Sequence, residues 1–122
     1  MAIGAKRLVV GAHYGLRDWL AQRLTAVILA AYVVFFVIYL LVVSSTKGAL
    51  GYDEWAGMFV PVWSKLLTLI AILALLYHAW IGMRDVWMDY VRPTGIRLAL
   101  LVVTILWLVF CALWSAQILW SV

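Results

Sequence analysis

The sequence predicts an all-α membrane protein with three transmembrane helices. Of its 122 residues, 69% are hydrophobic and only 11% are charged, whereas soluble domains average about 45–50% apolar and about 25% charged residues. Three apolar stretches, at about 24–43, 59–83 and 96–120, each supply the roughly 20 residues that a helix needs to cross a hydrocarbon core of about 30 Å. Backbone polar groups in lipid must be satisfied within their own segment, so each stretch is expected to be helical. We expect residues 1–122 to form a single transmembrane domain.

The first predicted helix begins beyond Arg23 and ends in the polar segment 44–48. No small-residue cleavage site follows it closely, so it is expected to stay in the protein rather than to be removed as a signal peptide. The next segment, 51–55, is expected to lie at the membrane interface. It leads to Pro61, which is tolerated in the first turn of a helix.

Pro93 and Gly95 separate the second helix from the third. A residue that precedes proline is pushed away from α geometry, which predicts a break at Arg92. The second helix can therefore continue through the headgroup zone as far as Tyr90. The third helix adds a further long apolar stretch.

The basic residues indicate how the helices are oriented. Four precede the first helix, one lies in the first loop and three lie in the second loop: Lys6, Arg7, Arg17 and Arg23; Lys47; Arg84, Arg92 and Arg97. Lys65, in the second helix, can extend outward along its aliphatic stem. The positive-inside rule then predicts that the amino terminus and the second loop are cytoplasmic, or on the matrix side of a mitochondrial membrane. No helix carries a basic stripe, so the net charge of +4 indicates topology and not nucleic-acid binding.

His78 is the one histidine within a predicted span, since His13 precedes all three and is expected to be solvated. It lies roughly 7–8 Å from the cytoplasmic end of the second helix, where an ionisable ring without a partner is costly. Small residues, Ala71, Ala74 and Gly82, share its helix face. They favour either close helix packing or a flat macrocycle beside the imidazole, as in haem proteins.

A haem with two histidine ligands requires a second imidazole, and this chain offers one from within the membrane. The other ligand is then expected from a partner chain. This predicts that the protein is part of a heteromeric helix bundle with the cofactor at an interface between chains. A second copy of the chain would meet the same requirement, so a homodimer stays open.

Charged and aromatic residues gather at the predicted cytoplasmic interface. Tyr90 suits either headgroup anchoring or donation of a hydrogen bond to a quinone carbonyl. Asp89 is either solvated or able to orient a partner arginine or help to deliver protons. Asp18 and Arg23 are expected at the same level, where Arg23 is either a topological anchor or a clamp for a carboxylate such as a haem propionate.

The residues resemble a known family at this point. The segment 78–83, His-Ala-Trp-Ile-Gly-Met, together with Asp89, Tyr90, Val91 and Pro93, resembles the haem and quinone segment of the small cytochrome b membrane anchor of bacterial succinate dehydrogenase. Asp18 with the segment 23–26, Arg-Leu-Thr-Ala, is similar to the amino-terminal signature of that family. Residues 52–55, Tyr-Asp-Glu-Trp, are similar to its first outer loop. The resemblance covers about residues 16–93.

The resemblance implies a membrane anchor of succinate:ubiquinone oxidoreductase in the bacterial cytoplasmic membrane, with the carboxyl terminus in the periplasm. In this family the anchor shares one haem b with a second three-helix membrane chain and docks an iron–sulfur protein and a flavoprotein. FAD and iron–sulfur clusters belong to those partners, and ubiquinone is the substrate. By carry-over, His78 is similar to the axial haem ligand, Tyr90 to the quinone-binding tyrosine and Asp89 to the acid beside it. Arg23 and Asp18 are then expected to support the pocket.

Two other functions stay open on the residues alone. A fumarate reductase-type anchor has the same architecture and differs mainly in quinone potential and direction. A cofactor-free packing or transport protein is the other alternative, although transporters usually carry intramembrane carboxylates and broken helices, and no Asp or Glu lies deep in a predicted span. The chain has no flavin motif, iron–sulfur cysteine set or nucleophile constellation, so no catalytic residue of its own is expected.

Overall fold

The computed structural model describes the backbone of residues 2–122 and the side chains of residues 15–122. The helices, in order, are α1 (Ala2–Lys47), α2 (Tyr52–Gly57), α3 (Val62–Tyr90) and α4 (Thr94–Ser121), and this part of the chain contains no β-strand. Within residues 15–122, the helices α1, α3 and α4 are long and apolar enough to cross a membrane. The predicted class, an all-α protein with three membrane-spanning helices, is confirmed.

Most helix ends lie beyond the apolar stretches that indicate them, but α3 begins at Val62, later than the predicted start at about residue 59. α1 begins well before Arg23. α3 ends at Tyr90, which is the last residue that the sequence analysis allowed for this helix. Hydropathy marks the part of a helix that lipid contacts, whereas the helix ends where its backbone geometry changes. At the end of α1, Gly48 has a φ of 84°, and its N–H donates to the Ser44 carbonyl over 2.9 Å. A left-handed glycine of this kind closes a helix without strain at Cβ.

The short helix α2 lies in the segment that the sequence placed at the interface. Gly51 precedes it, and the Gly51 N–H donates to Glu54 Oε2 over 2.9 Å. Backbone N–H groups of Glu54 itself and of Gly51 hold the pKa of the Glu54 carboxyl below its usual value. Trp55 packs between Phe36 of α1 and Phe59, with ring centroids 5.2 and 5.6 Å away. These contacts fix α2 against the end of α1.

Both prolines immediately precede a helix in an extended conformation. Pro61 has ψ 139° and Pro93 has ψ 123°, and α3 and α4 begin at the next residues. Their carbonyl oxygens accept the N–H groups of Lys65 and Arg97 at 3.1 and 3.0 Å. Proline suits this position because its fixed φ is compatible with a helix start and its missing N–H would have no partner there. The predicted break near Arg92 is therefore present.

Helix α3 lies between α1 and α4 and runs antiparallel to both, because contacts pair early residues of one helix with late residues of the next. It contributes most of the buried residues: Ser64, Lys65, Thr68, Ala71, Ala74 and Ile81. Lys65 does not extend outward as expected. It is buried, and its Nζ donates to the Val122 carbonyl oxygen at 3.1 Å. Most large apolar side chains on α1 and α4 are exposed, as lipid-facing residues would be.

Candidate functional site

Three polar contacts join α1 to α3 along their shared interface. From the amino-terminal side of α1 they are an ion pair of 2.5 Å, a hydroxyl–imidazole contact of 3.0 Å and a hydroxyl–hydroxyl contact of 2.7 Å: Asp18–Arg84, Thr25–His78 and Tyr32–Thr68. On α1 these residues recur every seven positions, which is two helical turns, so all three project from one face. We call this row the polar seam.

A cavity of about 570 Å³ opens beside the first two contacts of the polar seam. Small, polar and charged residues form its lining: Gly15, Asp18, Trp19, Gln22, Arg23, Ala26, His78, Ile81 and Asp85. Ile81 lies at the buried end of the cavity, since only 1% of its surface is exposed. The cavity therefore brings one imidazole, one guanidinium and two carboxylates together between two membrane-spanning helices.

The His78 ring is held from one side. Its Nδ1 lies 3.0 Å from Thr25 Oγ1, and Thr25 is buried, with 7% of its surface exposed. Among residues 15–122, no side chain or backbone group forms a hydrogen bond with the other ring nitrogen, Nε2. The imidazole is thus oriented through one nitrogen, and the second has no hydrogen-bond partner within the part of the chain whose side chains are described.

The charges around the cavity are partly paired. Asp18 pairs with Arg84, and the same guanidinium lies 3.5 Å from Asp85. Arg23 lies over the Trp19 ring, 5.5 Å from its centroid, and forms no ion pair within the described side chains. Arg84 therefore offsets carboxylate charge at the cavity wall, while the Arg23 guanidinium keeps its donors for other groups.

Tyr90 and Asp89 lie apart from this cavity. Tyr90 is the last residue of α3, about 18 Å along the helix axis from His78 at 1.5 Å per residue. Its side chain is 80% exposed, and Asp89 is also exposed. The structure thus brings together three of the five predicted site residues, His78, Arg23 and Asp18, and leaves the other two on an open surface.

Sequence reasoning did not assign roles to three residues of this region. Thr25 contacts His78, Arg84 pairs with Asp18, and Gln22 lines the cavity with a buried Oε1 that has no hydrogen-bond partner among residues 15–122. The signal was present in α1, because Asp18, Gln22 and Thr25 are spaced i, i+4 and i+7. That spacing places three polar groups on one face of the helix. His13 and the basic residues 6 and 7 lie outside the side chains described.

Comparisons with known proteins identify the family of the chain. A protein-family model described as "Succinate dehydrogenase/Fumarate reductase transmembrane subunit" matches residues 2–113. The succinate dehydrogenase hydrophobic membrane anchor subunit of Coxiella burnetii is 41% identical over 106 residues, which cover 87% of this chain and 89% of the relative. The resemblance inferred from the sequence is confirmed. The chain is a multi-pass membrane protein that belongs to the family of transmembrane anchor subunits of succinate dehydrogenase and fumarate reductase.

Proposed function

We propose that this chain is the anchor of a succinate:ubiquinone oxidoreductase, in which His78 supplies one axial ligand to a haem b shared with a second three-helix membrane chain. The observation that carries the proposal is the cavity between α1 and α3, into which one membrane-embedded imidazole is built. The name of the Coxiella burnetii relative supports succinate oxidation over the reverse reaction. The chain itself contributes no catalytic residue.

The residues around the cavity fit a haem group. The His78 Nε2 has no hydrogen-bond partner among residues 15–122, and a neutral imidazole nitrogen of this kind is a common haem ligand. Gly15 lines the cavity without a side chain, and a Cβ there would meet no atom within 4 Å, so this part of the cavity is open space. The orphaned Oε1 of Gln22 is a further group that a bound molecule or a partner chain would satisfy.

Arg23 suits the binding of a carboxylate at the rim of the same cavity. A guanidinium presents several N–H donors in a plane and pairs with carboxylates in bidentate fashion, which is the geometry that a haem propionate requires. Arg23 lines the cavity and is exposed, so its donors can reach a bound group. Asp18 acts indirectly, because its pairing with Arg84 fixes the wall on which Arg23 stands.

A haem bound there supplies one-electron redox chemistry beside the path of electrons to quinone. The residues of this chain orient the imidazole, satisfy the propionates and exclude water from the α1–α3 interface. Tyr90 and Asp89, on the open end of α3, contribute to a ubiquinone site that partner chains complete. Tyr90 donates a hydrogen bond to a quinone carbonyl, and Asp89 helps to deliver the proton.

The exposed end of α3 and the adjoining loop are also the proposed docking side for the iron–sulfur protein and the flavoprotein, which hold the iron–sulfur clusters and FAD. The basic residues Arg92 and Arg97 favour a cytoplasmic position for this side, with the carboxyl terminus in the periplasm of a bacterial inner membrane. The second three-helix membrane chain is proposed to cover the open side of the cavity and to supply the other axial ligand.

The ligand assignment is tested by replacing His78 with Leu in the purified complex. The reduced haem bands in the visible spectrum are expected to disappear or shift, because leucine cannot ligate iron. His78→Met, which offers a thioether ligand instead, should give haem bands that differ from those of the wild type and of His78→Leu. His13→Ala is the matched control and should leave the spectrum unchanged. A His78→Leu complex with wild-type bands would refute the assignment.

The quinone role is tested by Tyr90→Phe. Quinone reduction should fall by about 10²-fold, at the lower end of what one positioned proton donor contributes, while succinate oxidation by an artificial acceptor stays intact. Tyr77→Phe is the matched control, since Tyr77 is a second exposed phenol of α3 that lines an apolar groove against α4. Equal loss of both activities in Tyr90→Phe would count against a quinone role.

A further inference from the structure

We propose that Thr25 is the positioning residue that sets the tautomer of His78, so that the proton lies on Nδ1 and the Nε2 lone pair is free for iron. This inference rests on the proposed role of His78 as a haem ligand. It assigns a function to a hydroxyl group for which the family resemblance gave no role.

The argument begins with the single hydrogen of the Thr25 hydroxyl. Oγ1 lies 2.8 Å from the Ala21 carbonyl oxygen, 3.1 Å from the Gln22 carbonyl oxygen and 3.0 Å from His78 Nδ1. A carbonyl oxygen only accepts, so the contact with Ala21 requires the hydroxyl to donate. Threonine in a helix commonly donates to the carbonyl four residues earlier in this way.

Once the hydroxyl proton is directed to Ala21, the contact with His78 must be donated by the ring. A neutral imidazole has one N–H, and a separation of 3.0 Å is normal for an N–H···O hydrogen bond. The proton therefore lies on Nδ1. The reverse arrangement would place it on Nε2, the nitrogen that has no hydrogen-bond partner within residues 15–122, and would remove the lone pair that iron needs.

The burial of Thr25 makes this constraint hard to replace. Thr25 is 7% exposed, so bulk water cannot readily take over if the hydroxyl is removed. Histidine ligands of metals usually donate their second ring N–H to a nearby acceptor, which fixes ring orientation and raises the basicity of the ligating nitrogen. A more basic ligand favours ferric over ferrous iron. Loss of the hydroxyl should therefore raise the reduction potential of the haem.

The chain offers a matched control at one end of the polar seam. Thr68 is also 7% exposed and also forms a hydroxyl contact across the α1–α3 interface, but its partner is Tyr32. Thr25→Val and Thr68→Val thus remove the same atoms from equally buried sites on one interface. Only Thr25→Val changes the surroundings of the imidazole.

The experiment measures the haem midpoint potential and the low-spin ferric EPR signal of the purified complex for Thr25→Val, Thr25→Ser and Thr68→Val. We expect Thr25→Val to lower the ratio of ferric to ferrous affinity of the imidazole about tenfold. This corresponds to a rise of about 59 mV in the one-electron midpoint potential, and the EPR signal should shift as well. Thr25→Ser should restore both values, and Thr68→Val should match the wild type. If Thr25→Val does not assemble, Thr25→Ala gives the same comparison.

Two outcomes would overturn the inference. One is a Thr25→Val complex with wild-type potential and EPR signal; the other is an equal shift in Thr68→Val, which would indicate general loosening of the interface. Both are distinguishable from failure of the proposed function, because His78→Leu tests that separately. If His78→Leu alters the haem bands while Thr25→Val changes nothing, His78 remains the ligand and Thr25 has only a packing role.

Discussion

Helix α3 has two interfaces, and they handle polar groups differently. Towards α1, the polar seam repeats every seven residues and borders a cavity lined by His78 and Arg23. Towards α4, the Trp87 Nε1 donates to Thr104 Oγ1 at 3.0 Å, and the middle of the interface is an apolar groove between the two helices. Membrane helices associate through close packing and scattered hydrogen bonds. The α3–α4 interface is of this ordinary kind, whereas the α1–α3 interface has more polar groups than helix packing requires.

The difference supports the proposal that the α1 side of α3 carries the functional site. A hydroxyl pair such as Tyr32–Thr68 satisfies itself and needs nothing more. An imidazole with one engaged nitrogen, beside a guanidinium without a carboxylate partner among residues 15–122, retains binding capacity in a setting where unused polar groups are costly. We infer that α4 stabilises α3, and that α1 and α3 together present the site.

The largest expected difference between the α1–α3 and α3–α4 interfaces comes from replacing a small residue in each with a larger one. Ala74 is buried on the α3 face that carries Thr68 and His78, so Ala74→Leu should overpack the α1 interface and destabilise the protein by about 1–3 kcal/mol. Ala112→Leu is the control, since Ala112 of α4 lines the open groove against α3. Thermal denaturation of the detergent-solubilised complex measures both. Equal losses would mean that the two interfaces are packed alike.

A smaller effect is expected from the ion pair. Arg84→Leu leaves Asp18 at the cavity wall without its partner, and because both groups are partly exposed the loss should be about 1 kcal/mol. Exchanging the charges in a double variant, Asp18→Arg with Arg84→Asp, should recover part of it. Arg92→Leu is the control, as Arg92 is exposed and forms no ion pair within the described side chains. No recovery in the exchanged variant would show that the pair does not stabilise the interface.

Single hydroxyl contacts should matter less, and similarly on both sides. Tyr32→Phe removes one from the α1 interface and Thr104→Val one from the α4 interface, each with an expected loss of about 0.6 kcal/mol. Neither should change the haem spectrum. A spectral change in Thr104→Val would extend the site to α4 and contradict the division between the two sides.

The smallest effect concerns α2 and depends on pH. Because the pKa of Glu54 is lowered in the folded protein, its stabilisation of the α2 start is present above the ordinary carboxyl pKa and is lost as the pH falls through the lowered value. Hydrogen exchange at the Gly51 amide should therefore be protected at neutral pH and faster in acid, after correction for intrinsic rates. Glu54→Gln should weaken the protection at neutral pH, and Asp53→Asn should not.

Much of the fold follows from the sequence. The three apolar runs predicted the spans, and Pro93 predicted the boundary between α3 and α4. Pro61 was expected within the first turn of a helix, whereas it immediately precedes α3. The long start of α1 did not follow, because hydropathy cannot distinguish a polar helix outside lipid from a loop. Its segment before Arg23 contains glycines but no proline to stop a helix.

The site was only partly predictable. His78 was evident because an ionisable ring stands out in an apolar span, and Arg23 and Asp18 were marked by charge near the interface. The partner of each group depends on the register and rotation of two helices, which composition does not encode. The spacing of polar residues in α1 marked Thr25, but its contact with His78 and the pairing of Arg84 with Asp18 depend on how α1 packs against α3.

The repeat of the polar seam also gives α1 and α3 a fixed alignment. A slide of one helical turn, about 5.4 Å, would carry all three α1 residues away from their partners on α3 at the same time. The three contacts therefore fix the register of α1 against α3 together, and a shift at any one contact is resisted by the other two. A slide of α1 along α3 therefore has to break all three contacts together.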